Sequence, residues 1–162
     1  MTEDRITALA RRFGRACRRR RLEVSVAESC TGGGLAAAIT RVSGSAKWFD
    51  RGFVTYSNAA KRELLGVPQR TLTRHGAVSE AVALAMARGV LRHSPSEISV
   101  SITGIAGPTG GSRAKPVGLV WIAWGVRDGA IQARAFRFKG GRVEVRRQAV
   151  AMAIQGLIDL LG

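Results

Sequence analysis

Val24-Ser25-Val26-Ala27-Glu28-Ser29-Cys30-Thr31-Gly32-Gly33-Gly34 is the stretch on which the reading of this chain turns. It reads as a short apolar strand, a small polar turn and three glycines that open a helix over Leu35-Ala36-Ala37-Ala38-Ile39. Such a turn leaves several backbone N–H groups without partners at the helix start. Their partial positive charge suits an anion, either a phosphate or a developing oxyanion. Glycines let another atom approach that backbone closely. Ser29 stands where the strand ends, so its hydroxyl would share the same space, and a hydroxyl beside N–H donors is the minimum for acyl transfer. Three local readings stay open: a nucleophile, a phosphate cradle without chemistry, and an ordinary strand–helix turn. Glu28 reads as a carboxylate favoured by the helix dipole.

Outward from that turn, helices alternate with apolar strands. Residues 3 to 20 carry Ile6, Leu9, Ala10, Phe13, Ala16 and Cys17 at helical spacing, with arginines between them. A strand is expected over 22–27, a helix from Thr31 or Gly32 to Arg41, and a second strand over Phe53-Val54-Thr55-Tyr56. Ser57 caps a helix from Asn58 to Leu65, and Gly66-Val67-Pro68 stops it. A loop with a short helix follows, then an alanine-rich helix over 80–92 capped by Ser79. The run 97–103 alternates like a strand and enters a second glycine-rich loop, 104–111. Two strands over 117–126 and 130–138 meet at Asp128-Gly129, a hairpin signal. A last helix covers 142–161, with Val145, Ala149, Met152, Ala153, Leu157 and Leu160 on or near one face. This order predicts an α/β protein, a three-layer α/β/α sandwich with a mixed, mostly parallel sheet. Two glycine-rich loops at strand ends would line one crevice. Ser29, Tyr56 and Thr103, each expected to end a strand, would then face one pocket.

The length of 162 residues predicts a single domain. The charged opening Met1-Thr2-Glu3-Asp4 is unlike a signal peptide, and no apolar run is long enough to span a membrane, so a cytoplasmic protein is expected. Two cysteines and two histidines make neither a disulfide framework nor a metal cluster. The formal charge of +15, with eight arginines among the first 21 residues, has two readings. One is attraction to nucleic acid or another polyanion. The other is a solvated helix face, which is favoured because no DNA-binding motif or aromatic platform accompanies the charge.

A nucleophilic serine needs a base. Neither histidine lies near an expected strand end. Lys61 is about the fourth residue of the helix capped by Ser57, directly after the strand ending at Tyr56. A helix start disfavours an ammonium, and burial in a crevice would lower its pKa further. Arginine could not serve, because it stays protonated. A solvated surface lysine is the competing reading.

The motifs 27–33, Tyr56-Ser57-Asn58-Ala59-Ala60-Lys61, His75-Gly76-Ala77-Val78-Ser79, Thr103-Gly104-Ile105-Ala106-Gly107-Pro108 and Lys115-Pro116-Val117-Gly118 resemble the carboxy-terminal domain of the CinA (competence/damage-inducible) family. The resemblance runs from about Arg5 to Leu161. It implies a three-layer α/β/α fold and hydrolysis of nicotinamide mononucleotide to nicotinate mononucleotide and ammonia, with no metal or organic cofactor. It places the nucleophile on Ser29, the base on Lys61, and substrate contacts on Tyr56 and Thr103. The turn Cys30, Thr31, Gly32 and Gly33 would supply oxyanion donors. The loop through Gly104 and Gly107, with Arg142, would hold ribose and phosphate. The family often has Gly-Asp-Arg before the last helix, whereas this chain has Gly140-Gly141-Arg142. Arg142 is therefore without that acid, and Arg146 is the other candidate for the phosphate. The expected partner is a small nucleotide, with self-association into a homodimer or higher homo-oligomer. The rival readings are a non-catalytic nucleotide-binding module and a competence-linked protein that binds polyanions.

Overall fold

The computed structural model describes residues 1–162. Its centre is a five-stranded sheet in the order β2-β1-β3-β4-β5. The strands are β1 (Val24–Glu28), β2 (Phe49–Val54), β3 (Ile98–Gly104), β4 (Leu119–Val126) and β5 (Ile131–Arg137). β1 pairs parallel with both β2 and β3, and β4 is antiparallel to β3 and β5, so β4 alone runs against the rest. Helices α1 (Glu3–Arg20), α2 (Gly34–Thr40) and α6 (Arg142–Leu161) cover one face. Helices α3 (Asn58–Leu65), α4 (Gln69–His75) and α5 (Glu80–Arg92) cover the other. This is the expected three-layer sandwich with a mixed sheet.

The larger core lies under α1, α2 and α6, where Val24, Val26, Val100, Ile102, Ile122 and Leu157 are buried together. Phe13 meets Trp48 edge to face at 5.6 Å, and Gly14 keeps α1 close because a Cβ there would strike the indole. The opposite core is built from Ala27, Leu65, Val82, Met86 and Val90. β3 alternates as its sequence does, yet neither of its faces is wet. Its serines turn to α5, where Ser99 donates to Ala87 O at 3.0 Å and Ser101 to Ala83 O at 2.7 Å. The alanines of α5 let the helix backbone come close enough to accept these hydroxyls, which would otherwise be buried at a cost.

Capping sets the helix starts. Thr2, Ser57 and Ser79 each accept a backbone N–H from the residue three positions on, Arg5, Ala60 and Val82 respectively. Several ends differ from the sequence reading. β2 begins at Phe49 and stops at Val54, so Tyr56 lies two residues beyond it. α2 begins only at Gly34, because Gly32 and Gly33 sit at φ 55 and 97 and hold residues 31–33 in a turn. In α6 it is Leu161 that turns inward and Leu160 that is exposed.

The chain leaves β1 toward α2 on one face and leaves β2 toward α3 on the other. Adjacent parallel strands whose continuations part in this way open a crevice at their carboxyl ends. Ser29 and the segment leading to Lys61 border that crevice.

Candidate active site

Ser29 follows the last residue of β1, and its N–H donates to Ile102 O in β3 at 2.9 Å. This fixes the serine backbone while the side chain turns toward α3. Lys61, the fourth residue of α3, is 1% exposed. Its Nζ lies 3.0 Å from Ser29 Oγ, 2.8 Å from Thr55 O and 3.3 Å from Tyr56 O. No carboxylate pairs with it, and burial holds its pKa below the ordinary 10.5. A neutral amine has two hydrogens and one lone pair. The carbonyls of Thr55 and Tyr56 can only accept, so they take the two hydrogens. The lone pair is left for the Ser29 hydroxyl, the arrangement a general base requires.

Cys30 is the neighbouring alternative nucleophile, but burial pushes its thiol up to about 11. It stays protonated near neutral pH and is a poor nucleophile there. No three His, Cys, Asp or Glu side chains converge as a metal site would need.

The turn after Ser29 uses part of its donors internally. Gly32 N donates to Ser29 O at 3.0 Å and Gly34 N to Thr31 O at 2.9 Å. The N–H groups of Cys30, Thr31 and Gly33 have no carbonyl partner, so these three are the free donors of the turn. The next two belong to Glu28. It is 1% exposed, and its carboxylate accepts from Leu35 N at 2.8 Å and Ala36 N at 3.1 Å. The N-cap of α2 is Gly33, which has no side chain to offer, so Glu28 reaches across from β1 to cap the helix instead.

The remaining expected residues occupy different positions around the crevice. Tyr56 is 60% exposed, and its hydroxyl accepts from Arg142 Nη2 at 3.0 Å. Arg142 also donates through Nη1 to Gly107 O at 2.8 Å, so it straps the second glycine loop to Tyr56 across the mouth. With Gly141 before it, no carboxylate accompanies this guanidinium. Thr103 stands in β3 one residue beyond the partner of Glu28, next to the serine. It is 1% exposed, and its hydroxyl donates to Ala77 O at 2.9 Å, toward the 75–79 loop. Gly104 packs against Val120 of β4, where a Cβ would not fit. Sequence reasoning missed the carbonyl of Thr55, and it linked Glu28 to the helix dipole without foreseeing its bonds to Leu35 N and Ala36 N. A backbone acceptor leaves no trace in residue type.

Residues 6–161 match the family model "CinA C-terminal domain". The chain is 52% identical over 158 residues to a Pseudomonas putida protein named "Nicotinamide-nucleotide amidohydrolase PncC", covering 97% of this chain and 98% of that one. It is 50% identical over 157 residues to the protein of the same name from Escherichia coli (strain K12), covering 97% and 95%. Among solved structures, the competence/damage inducible protein CihA from Agrobacterium tumefaciens superposes with a TM-score of 0.95 at 48% identity, covering 98% of this chain and 96% of that one.

Proposed function

The chain belongs to the CinA C-terminal domain family, and from that premise we propose that it hydrolyses the carboxamide of nicotinamide mononucleotide, with Ser29 as nucleophile and Lys61 as its base. The names of its close relatives support an amidohydrolase acting on a nicotinamide nucleotide. The observation that carries the residue roles is the buried Lys61 Nζ, 3.0 Å from Ser29 Oγ with two carbonyls occupying its hydrogens.

Lys61 takes the Ser29 proton as Oγ attacks the carboxamide carbon. The carbonyl oxygen becomes an oxyanion facing the free N–H groups of Cys30, Thr31 and Gly33. Donors of this kind contribute about 10²–10³ each in kcat. The intermediate collapses, the C–N bond breaks, and the Lys61 ammonium gives its proton to the departing ammonia. Water then attacks the Ser29 ester with Lys61 again as base, releasing the carboxylate and restoring the hydroxyl. Arg142 at the mouth, uncompensated by any acid, would grip the substrate phosphate on letting go of Gly107 O. Tyr56 and the 104–111 loop would bound the ribose.

Ammonia release from nicotinamide mononucleotide tests this reading. Wild-type protein is expected to release it, and Ser29→Ala to lose at least about a thousandfold in kcat while keeping its circular dichroism spectrum. A folded Ser29→Ala protein with substantial activity would remove Ser29 from the mechanism. Absence of ammonia release from the wild type would favour a nucleotide-binding module.

A further inference from the structure

A second cavity lies on the far side of the Ser29 turn, between α1, α2 and α6. Its volume is about 280 Å³, and neither Ser29 nor Lys61 lines it. That is just below the range of about 300–1,000 Å³ for small-molecule sites. Its wall is apolar, from Ile6, Ala37, Ala38 and Val150. Arg41, Arg146 and Arg147 supply three guanidinium groups against the single carboxylate of Glu3. Arg41 is occupied by Glu3 at 2.7 Å, while Arg147 is held only loosely by Glu144 at 3.6 Å.

Two polar atoms of the lining residues are buried without partners, Thr31 Oγ1 and Arg146 Nε. Thr31 is 1% exposed. Buried groups of this kind are nearly always hydrogen-bonded. The wall also includes Val143, in the first turn of the twenty-residue α6, whose N-cap Gly141 offers no side chain. Positive charge and an uncapped helix start both favour an anion.

We propose that this cavity is a second binding site, distinct from the Ser29–Lys61 crevice, for a compact phosphomonoester carrying an apolar ring. The phosphate would meet Arg146 and Arg147, and the ring would lie on Ile6 and Val150. Arg146 couples the site to the catalytic turn, because its Nη2 donates to Thr31 O at 3.1 Å and lies against Gly32. A ligand that draws Arg146 toward itself changes the hold on the turn carrying the free N–H groups of Cys30, Thr31 and Gly33. Binding would therefore alter kcat and not merely compete with substrate. The turn's catalytic task rests on the function proposed above, but binding at the cavity does not.

Calorimetry with adenosine monophosphate, and separately with inorganic phosphate, tests the site without relying on turnover. Saturable binding of adenosine monophosphate is expected, with weaker binding of phosphate alone. Arg147→Glu should weaken both by about tenfold or more. Arg147 is half exposed, so this variant should fold, which its melting curve checks. Arg19→Glu makes the same charge change elsewhere and should leave affinity unaltered. Arg142→Gln, at the other mouth, should also leave it unaltered. No saturable binding, or binding lost in Arg142→Gln but kept in folded Arg147→Glu, would overturn the site. Purely competitive inhibition by adenosine monophosphate, with kcat unchanged, would overturn its separateness from the substrate crevice.

Discussion

Lys61 is buried with no anion beside it, which favours its neutral form, and the two amine hydrogens go to Thr55 O and Tyr56 O. Activity rises with pH as the depressed pKa is passed, because only the neutral amine can take the Ser29 proton. Lys61→Arg retains the charge but cannot give up a proton, so it should lose nearly as much kcat as Lys61→Ala. If arginine keeps more than about a tenth of wild-type kcat, a barrier change below about 1.4 kcal/mol, Lys61 is an electrostatic ligand and not a base. Fold stability carries the same signature. Between the depressed pKa and 10.5 the unfolded chain binds one more proton at this position than the folded chain does. Stability therefore rises with pH through that window and levels off above it. Urea unfolding at a series of pH values measures the slope, and Lys61→Met should flatten it.

At the scale of the element, the segment from β1 to α2 depends on a contact between its two ends. Glu28 satisfies two N–H groups of a seven-residue helix that has no side-chain cap of its own. Glu28→Gln keeps one acceptor but points an amide N–H₂ at the second donor. The expected loss is about 1–3 kcal/mol, the cost of leaving a buried group unpaired. For a chain of this size that is a fall in Tm of roughly 2–12 °C. kcat should fall with it, since the same turn carries the N–H groups proposed above as oxyanion donors. Gly33→Ala tests the turn from the other direction. At φ 97 an alanine is strained by about 1–3 kcal/mol, although the space around it is open to Val54 at 3.7 Å. A melting temperature unchanged in both variants would show that the turn is held by something other than its cap and its glycine.

Over the whole molecule the net charge is +15, and the substrate proposed above is an anion. The last turn of α1 carries Arg18, Arg19 and Arg20, none of which hydrogen-bonds to Ser29 or Lys61. Replacing Arg18 to Arg21 with glutamine should leave kcat intact and lower kcat/KM modestly. The loss should be greatest at low salt, as expected when steering of a charged ligand is reduced. Stopped assays across ionic strength decide this. A collapse of kcat at every salt concentration in a folded variant would place the helix in the chemistry. A salt-dependent titration with DNA tests the polyanion reading of the same arginines. No helix is long and apolar enough to cross a membrane.

The sequence by itself determined which segments became helices and strands, because those signals are local. Ser57 and Ser79 cap their own helices three residues on, and the apolar spacing of residues 6–17 needs only its own helix to be read. The Ser29 turn was legible for the same reason, its glycines being needed where they stand. The tertiary structure alone decided what these pieces meet. Lys61 lies 32 positions from Ser29, and the pair forms only because β1 lies beside β2 while their continuations part to opposite faces. The alternation in β3 was read correctly as a strand, yet its serines and Thr103 face helix and loop carbonyls, because α5 covers what might have been a solvated face. Tyr56 left the strand it was expected to end, since pairing with β1 stops at Val54. Arg142 and Arg146, one turn apart on α6, separate to the mouth and to the back of the turn. Local propensity acts over a few residues, whereas burial and hydrogen-bond partners are assigned by strand order and by which helix covers which face.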